Sequence, residues 1–146
     1  MNPPNPSPMP PPKAYLSRRY HLSASHRLHS ESLTAQQNQT TYGKCNNPHG
    51  HGHNYIVEVT VSGPVDEVTG MVCDLSELDS FAQTNLLDQF HTMNLNTLPQ
   101  FLAVVSTTEN FTIEVFRIFE RFPRAKIRRV RIEETSNNSF EYAESF

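Results

Sequence analysis

At 146 residues the chain is long enough for one ordinary domain with its own core and too short for two. Hydrophobic residues make up 36% and the formal net charge is −3, which argues against nucleic acid as the main partner. No apolar run approaches membrane-spanning length, the N-terminus lacks a signal-peptide hydrophobic segment, and only two cysteines, Cys45 and Cys73, are present; no membrane partner or disulfide framework is expected, and the cytoplasm is the expected compartment.

Seven of the first twelve residues are proline, which can neither donate ladder hydrogen bonds nor form a helix. Residues 1–13 therefore read as a disordered, locally extended tail and 14–146 as the single domain. The stretch YLSRRYHLSASHRL (15–28) has strand composition and ends near His26, and a long polar loop follows it. HNYIVEVTVSG (53–63) is the clearest strand, closed by Gly63, Pro64 and Asp66. DLSELDSFAQTNLLDQF (74–90) reads as a helix capped by Asp74 or Ser76. In TTENFTIEVFRIFERF (107–122), Phe111, Val115, Ile118, Phe119 and Phe122 fall at helical spacing, and Pro123 stops the helix. KIRRVRIEET (126–135) and a short SFEYAE supply the last strands. Its basic run, RFPRAKIRRVR (121–131), alternates between faces once read as a strand, giving a solvated rim or an anion-facing edge. The order strand, strand, helix, helix, strand, strand is α+β, with antiparallel pairing and two helices over one sheet face. Oligomerisation is the simplest way to cover the other face and the edges.

GKCNNPHGHGHNY (43–55) carries the chemistry. Strand alternation places His51 and His53 on one face with Tyr55, Val57, Val59 and Val61, a spacing suited to two imidazoles on one cation. His26, at the end of the first strand, supplies a third. Three neutral imidazoles leave a tetrahedral zinc one open position, the arrangement of a catalytic site. Cys45 is either a fourth ligand that closes a structural site or a free thiolate beside a cation, acting as base or nucleophile. Cys73 reads as a small buried apolar residue. On the last long strand Val130, Ile132 and Glu134 share the apolar face, whereas Arg129, Arg131 and Glu133 share the polar one.

SASHRL (23–28), CNNPHGHGHNY (45–55), TGMVCDLSEL (69–78), VVSTTEN (104–110) and RIEETSNN (131–138) resemble, in order, the 6-pyruvoyltetrahydropterin synthase family. The resemblance implies the tunnelling fold (T-fold): a four-stranded antiparallel sheet with two helices on one face, assembled as a homohexamer built from two trimers, with sites between subunits. It implies a zinc-dependent lyase of tetrahydrobiopterin biosynthesis. The family reaction converts 7,8-dihydroneopterin triphosphate to 6-pyruvoyltetrahydropterin by triphosphate elimination and internal redox tautomerisation. The substrate is a small-molecule pterin triphosphate, with Mg2+ as a companion ion for the triphosphate.

Matched position by position, the resemblance assigns His26, His51 and His53 to zinc and Cys45 to removal of a side-chain proton. It assigns Glu134 to the pterin's amino and ring N–H edge, and Thr107 and Thr108 to pterin contact. His49 is a bystander. His91 answers to the relay histidine, but Phe90 stands where the family commonly has aspartate; Asp88, three residues upstream, shares a face with His91 if the turn is helical. Arg18, Arg19, Arg27, Lys44 and the basic residues of 124–131 are unranked candidates for the triphosphate. Two alternatives remain. One is 6-carboxytetrahydropterin synthase of the deazapurine (queuosine) pathway, whose Cys-x3-His-x-His spacing Cys45, His49 and His51 also satisfy; the other is a non-catalytic zinc-stabilised assembly module closed by Cys45.

Overall fold

The computed structural model describes residues 1–144. Residues 1–12 are exposed and outside any helix or strand, and the Pro12 carbonyl accepts the Val65 N–H at 2.9 Å. Lys13, read from sequence as the end of the tail, opens the first strand. β1 (Lys13–His26) and β2 (His51–Pro64) pair antiparallel over their whole length, from Lys13 opposite Pro64 to His26 opposite His51. β4 (Lys126–Glu133) adds to the other side of β2, and β5 (Ser139–Ala143) to β4. A two-residue β3 (Met93–Asn94), parallel to β1, makes a fifth strand where four are expected from the sequence; the sheet order is β3-β1-β2-β4-β5.

Alternation sorts the sheet faces. Leu22, Ala24 and His26 point inward with Tyr55, Val57 and Val59, and the core continues into Val130 and Ile132. The pairing of β2 with β4 slips between Thr60 and Val61, so that Arg128 is the extra residue of a bulge, and Ile127 and Val130 both turn inward. On the opposite face Glu58 accepts from Arg19 (2.8 Å) and Arg129 (3.0 Å), and Arg131 pairs with Glu133 (2.8 Å). Within the basic run Arg124, Arg129 and Arg131 are thus paired with carboxylates, and Arg128 Nε donates to Ser62 Oγ at 2.7 Å.

The helices cover the inward face. α1 (Ala35–Tyr42) lies in the stretch that reads from sequence as loop, because its only buried residue is polar Asn38 and it has no apolar period. Capping sustains it: Thr34 and Gln37 form a reciprocal capping box, and the Asn38 amide binds the Ser30 backbone through both of its atoms. α2 (Leu75–Ala82), capped by Asp74, runs through a wide π turn at Gln83–Leu87 into α3 (Asp88–Phe90). Leu78, Ala82, Leu86 and Phe90 are all fully buried at every-fourth spacing. In a straight α-helix that spacing drifts by about 40° per step, and the wide turn takes the drift back. α4 (Thr108–Phe119), capped by Thr107, is shorter than the predicted 107–122, although Phe122 stays buried in the turn beyond it. No described helix is long and apolar enough to cross a membrane.

Phe111 of α4 is the aromatic hub beneath the histidines, with ring centroids 5.5 Å from Tyr55, 5.2 Å from Phe90 and 6.2 Å from Phe101. Phe111→Ala should cost about 3–5 kcal/mol of unfolding free energy, read by urea denaturation. Asp79 of α2 joins helix to sheet: Arg18 grips it through two nitrogens at 3.0 and 2.8 Å, and Tyr20 donates at 2.9 Å. The hydrogen bond from Arg18 is the main reason its carboxyl lies below the usual range. This contribution is present above the unfolded-state value of about 3.9 and is lost as pH falls through the lower folded value. Asp79→Asn should lower stability at pH 7 by about 1 kcal/mol or less after solvent screening, and the difference should vanish in acid unfolding titrations below that range.

Candidate active site

The β1–β2 register sets His26 directly across from His51 and two residue pairs away from His53, so a single antiparallel ladder gathers three imidazoles at the end of the sheet. Their ring centroids are 4.7, 4.8 and 5.3 Å apart, and one ligand atom of each lies within 4.8 Å of the others. His26 is buried, and its Nδ1–H donates to the Ser106 carbonyl at 2.6 Å. That bond leaves Nε2 of the neutral ring as a lone pair, facing His51 Nε2 at 3.1 Å. His53 Nε2 is buried without a hydrogen-bond partner. An orphaned ring nitrogen beside two other imidazoles is the chemistry a divalent cation with nitrogen preference would satisfy. Burial, above all, holds His26 and His51 below the ordinary histidine pKa, and the neighbouring imidazoles add to this, so both favour the neutral, ligating form.

Gly50 shows why His49 takes no part. Its φ of +71° is left-handed, and a Cβ there would stand 3.0 Å from the His26 carbonyl. This turn ends the irregular loop, so β2 begins at His51, while His49 stays exposed outside the ladder with its N–H on Asn47 Oδ1. The three histidines have equal parity in the sequence; the strand boundary separates them.

Cys45 lies half-buried and free in a 3₁₀ turn (Gly43–Asn46) after α1, its carbonyl accepting the Leu28 N–H at 2.9 Å. Among the described residues the group placed to hold a metal consists of the three histidines alone, so Cys45 does not close a four-ligand sphere. Cys73 is also free; it packs half-buried against the core, and burial pushes its thiol up.

Glu134 follows β4 on the inward side, where it accepts from Thr108 Oγ1 and places Oε1 3.5 Å from His53 Nε2. Its N–H is held by the Asn138 carbonyl at 3.0 Å. Glu133 goes to the opposite face with Arg131, the split that strand alternation predicts. The threonine pair divides its work: Thr107 caps α4, and Thr108 reaches Glu134. Buried Tyr55 also faces this carboxylate; burial first, and the Glu134 charge second, push its hydroxyl pKa up.

His91 is exposed, with its Nδ1 accepting the Ser23 N–H at 3.0 Å. Thr92, in left-handed conformation (φ 62°), donates its own N–H to the Ser23 carbonyl at 2.6 Å. Asp88 does not orient His91 within the chain: its Oδ1 accepts from Gln83 Nε2 at 2.7 Å, because the π turn gives it a different neighbour from the one an α-helix would. Of the cations considered for the triphosphate, Arg18, Arg19, Arg124, Arg129 and Arg131 are engaged by carboxylates, and Arg27 Nε donates to the Asn46 carbonyl. Motif reading misses Ser106 and Tyr55, the first because its contribution is a backbone carbonyl and the second because it reads as a core aromatic.

The family model described as 6-pyruvoyl tetrahydropterin synthase matches residues 15–145. Human 6-pyruvoyl tetrahydrobiopterin synthase is 42% identical over 132 residues, covering 89% of this chain and 91% of that protein. The Drosophila melanogaster protein of the same name is 42% identical over 135 residues, covering 90% and 80%. The solved structure of Caenorhabditis elegans 6-pyruvoyl tetrahydropterin synthase superposes with a TM-score of 0.89 at 39% identity, over 94% of this chain and 99% of that one. The Plasmodium falciparum structure of that name, at 16% identity and a TM-score of 0.61, shares the fold alone. With the family match spanning nearly the whole domain and the T-fold reproduced, the chain belongs to the 6-pyruvoyl tetrahydropterin synthase family.

Proposed function

We propose that this chain is a lyase that converts 7,8-dihydroneopterin triphosphate to 6-pyruvoyltetrahydropterin with elimination of triphosphate, and that His26, His51 and His53 hold zinc for it. The observation that carries this reading is the three-imidazole cluster with a carboxylate, Glu134, 3.5 Å from one of its rings. A zinc ion held by these three imidazoles would supply Lewis acidity toward the substrate's side-chain oxygens, making the adjoining C–H bonds easier to ionise.

The chain's own groups do the rest. Glu134, braced by Thr108, presents a carboxylate to the amino and ring N–H edge of the pterin. Cys45 takes the side-chain proton. His91 serves as the relay group, its ring pinned by Ser23, so that its free nitrogen is Nε2. The exclusion of His49 from the ladder supports the longer Cys-to-His spacing of the pyruvoyl-type frame over the carboxy-type one, and Cys45's place outside the metal group speaks against a sealed structural site. A hexamer made of two trimers is part of this reading, because closing three sheets into a barrel covers the face that the helices leave open.

Zinc-loaded protein incubated with dihydroneopterin triphosphate should release triphosphate and give a product with a three-carbon side chain by mass spectrometry. A one-carbon carboxyl product with acetaldehyde, or no turnover, would overturn the assignment. Cys45→Ala should lower kcat by about 10²–10⁴-fold, the usual range for loss of a positioned acid or base. His91→Ala should lose most turnover while retaining stoichiometric zinc by elemental analysis, a combination that loss of the fold does not produce.

A further inference from the structure

The carbonyl that sets the His26 ring lies in a segment with no ladder to defend it. Residues 102–107 belong to no helix or strand, and Leu102, Ala103 and Val104 are exposed. What fixes this segment is side-chain tethering. Asn110 Nδ2 donates to the Val105 carbonyl at 2.8 Å, one peptide before Ser106, while the Asn110 N–H is held by Thr107 Oγ1 at 3.2 Å. The other tether, from Ser106 Oγ to the Arg27 carbonyl, is long at 3.4 Å. On the far side Asn96 brackets Arg27, the residue after His26, by accepting its N–H at 2.6 Å and donating to its carbonyl at 2.9 Å. The backbone around His26 is therefore fixed by Asn96, and the carbonyl facing its ring by Asn110.

We propose that Asn110 is a positioning residue of the metal site, clamping the Val105–Ser106 segment so that His26 is held with Nδ1 protonated and Nε2 free to ligate. An imidazole protonated at Nε2 cannot ligate through that atom, so the acceptor at Nδ1 determines whether the ring is ready or must rearrange. Asn110 acts through a backbone carbonyl and need not touch the ion. The inference deepens the metal-binding half of the proposed function, and its test involves no pterin. A chain that binds zinc normally but turns over no substrate would defeat that reading and leave this one standing.

The test uses metal-free full-length protein and zinc alone, titrated against a chromophoric chelator. Asn110→Ala and Asn110→Asp, the latter of similar shape but without the donor, should bind zinc about 10–100-fold more weakly, the usual effect of losing an outer partner of a metal ligand. Asn110→Ser, which keeps a shorter donor, should fall between. Long-range 1H–15N spectra of the metal-free protein should show His26 as the Nδ1–H tautomer in the wild type and as a mixture in the variants. Zinc affinity within twofold of wild type in a folded variant, with the tautomer unchanged, would overturn the proposal. Should the variants not fold, the unmodified protein still decides: exchange of the Asn110 side-chain amide protons should slow on zinc binding, and unchanged exchange would sink the clamp.

Discussion

The pairing of β1 with β2 is the constraint on which the site depends. It runs uninterrupted for fourteen residues of each strand and ends with His26 opposite His51. A slip of one residue would reverse the faces of a whole strand, sending His51, His53 and the Val57–Val59–Val61 row to the outside together. The same burial that stabilises the core therefore specifies the metal-binding geometry. Fully buried Tyr55, Val57, Val59 and Val61 make the wrong register costly, and the histidines take their places as the continuation of that row.

Charge reinforces the register from the other side of the sheet. Glu58 is bridged by Arg19 of β1 and Arg129 of β4, so one carboxylate on the central strand ties three strands in their observed alignment. The Arg19 hydrogen bond is the main cause of its lowered pKa. Each such pair adds little on its own at an exposed surface. Their value lies in discrimination: a two-residue slip of β4 in one direction would set Glu133, in place of Arg131, opposite Glu58.

Much of this was legible in the sequence where a period exists to be read. The two long strands, the inward row of β2, the split of Glu134 from Glu133 and the apolar face of α4 all follow from alternation or helical spacing. What escaped has no period. α1 is polar throughout and stands on a capping box, whose Thr34-x-x-Gln37 signature is present but precedes no apolar run. The π turn at Gln83–Leu87 is hidden because every-fourth spacing suits a slightly drifting α-helix almost as well, and it brings Gln83 onto Asp88. His49 shares parity with His51 and His53, and the left-handed turn at Gly50 sets it outside their strand. Ser106 contributes a carbonyl that every residue type possesses.

The N-terminus of α4 links what motif reading treats as separate parts. Ser106 holds His26, Thr107 caps the helix, and Thr108 donates to Glu134, so three consecutive residues join the histidine cluster, the helix and the inward carboxylate. Placing a carboxylate at this end of a twelve-residue helix is favourable, because the unpaired N–H groups of the first turn carry positive partial charge. The carboxylate also lies 3.5 Å from His53 Nε2, so its oxygens face the histidine cluster directly. The histidine cluster and the carboxylate thus share a backbone as well as a direct approach, and one short segment sets the position of both.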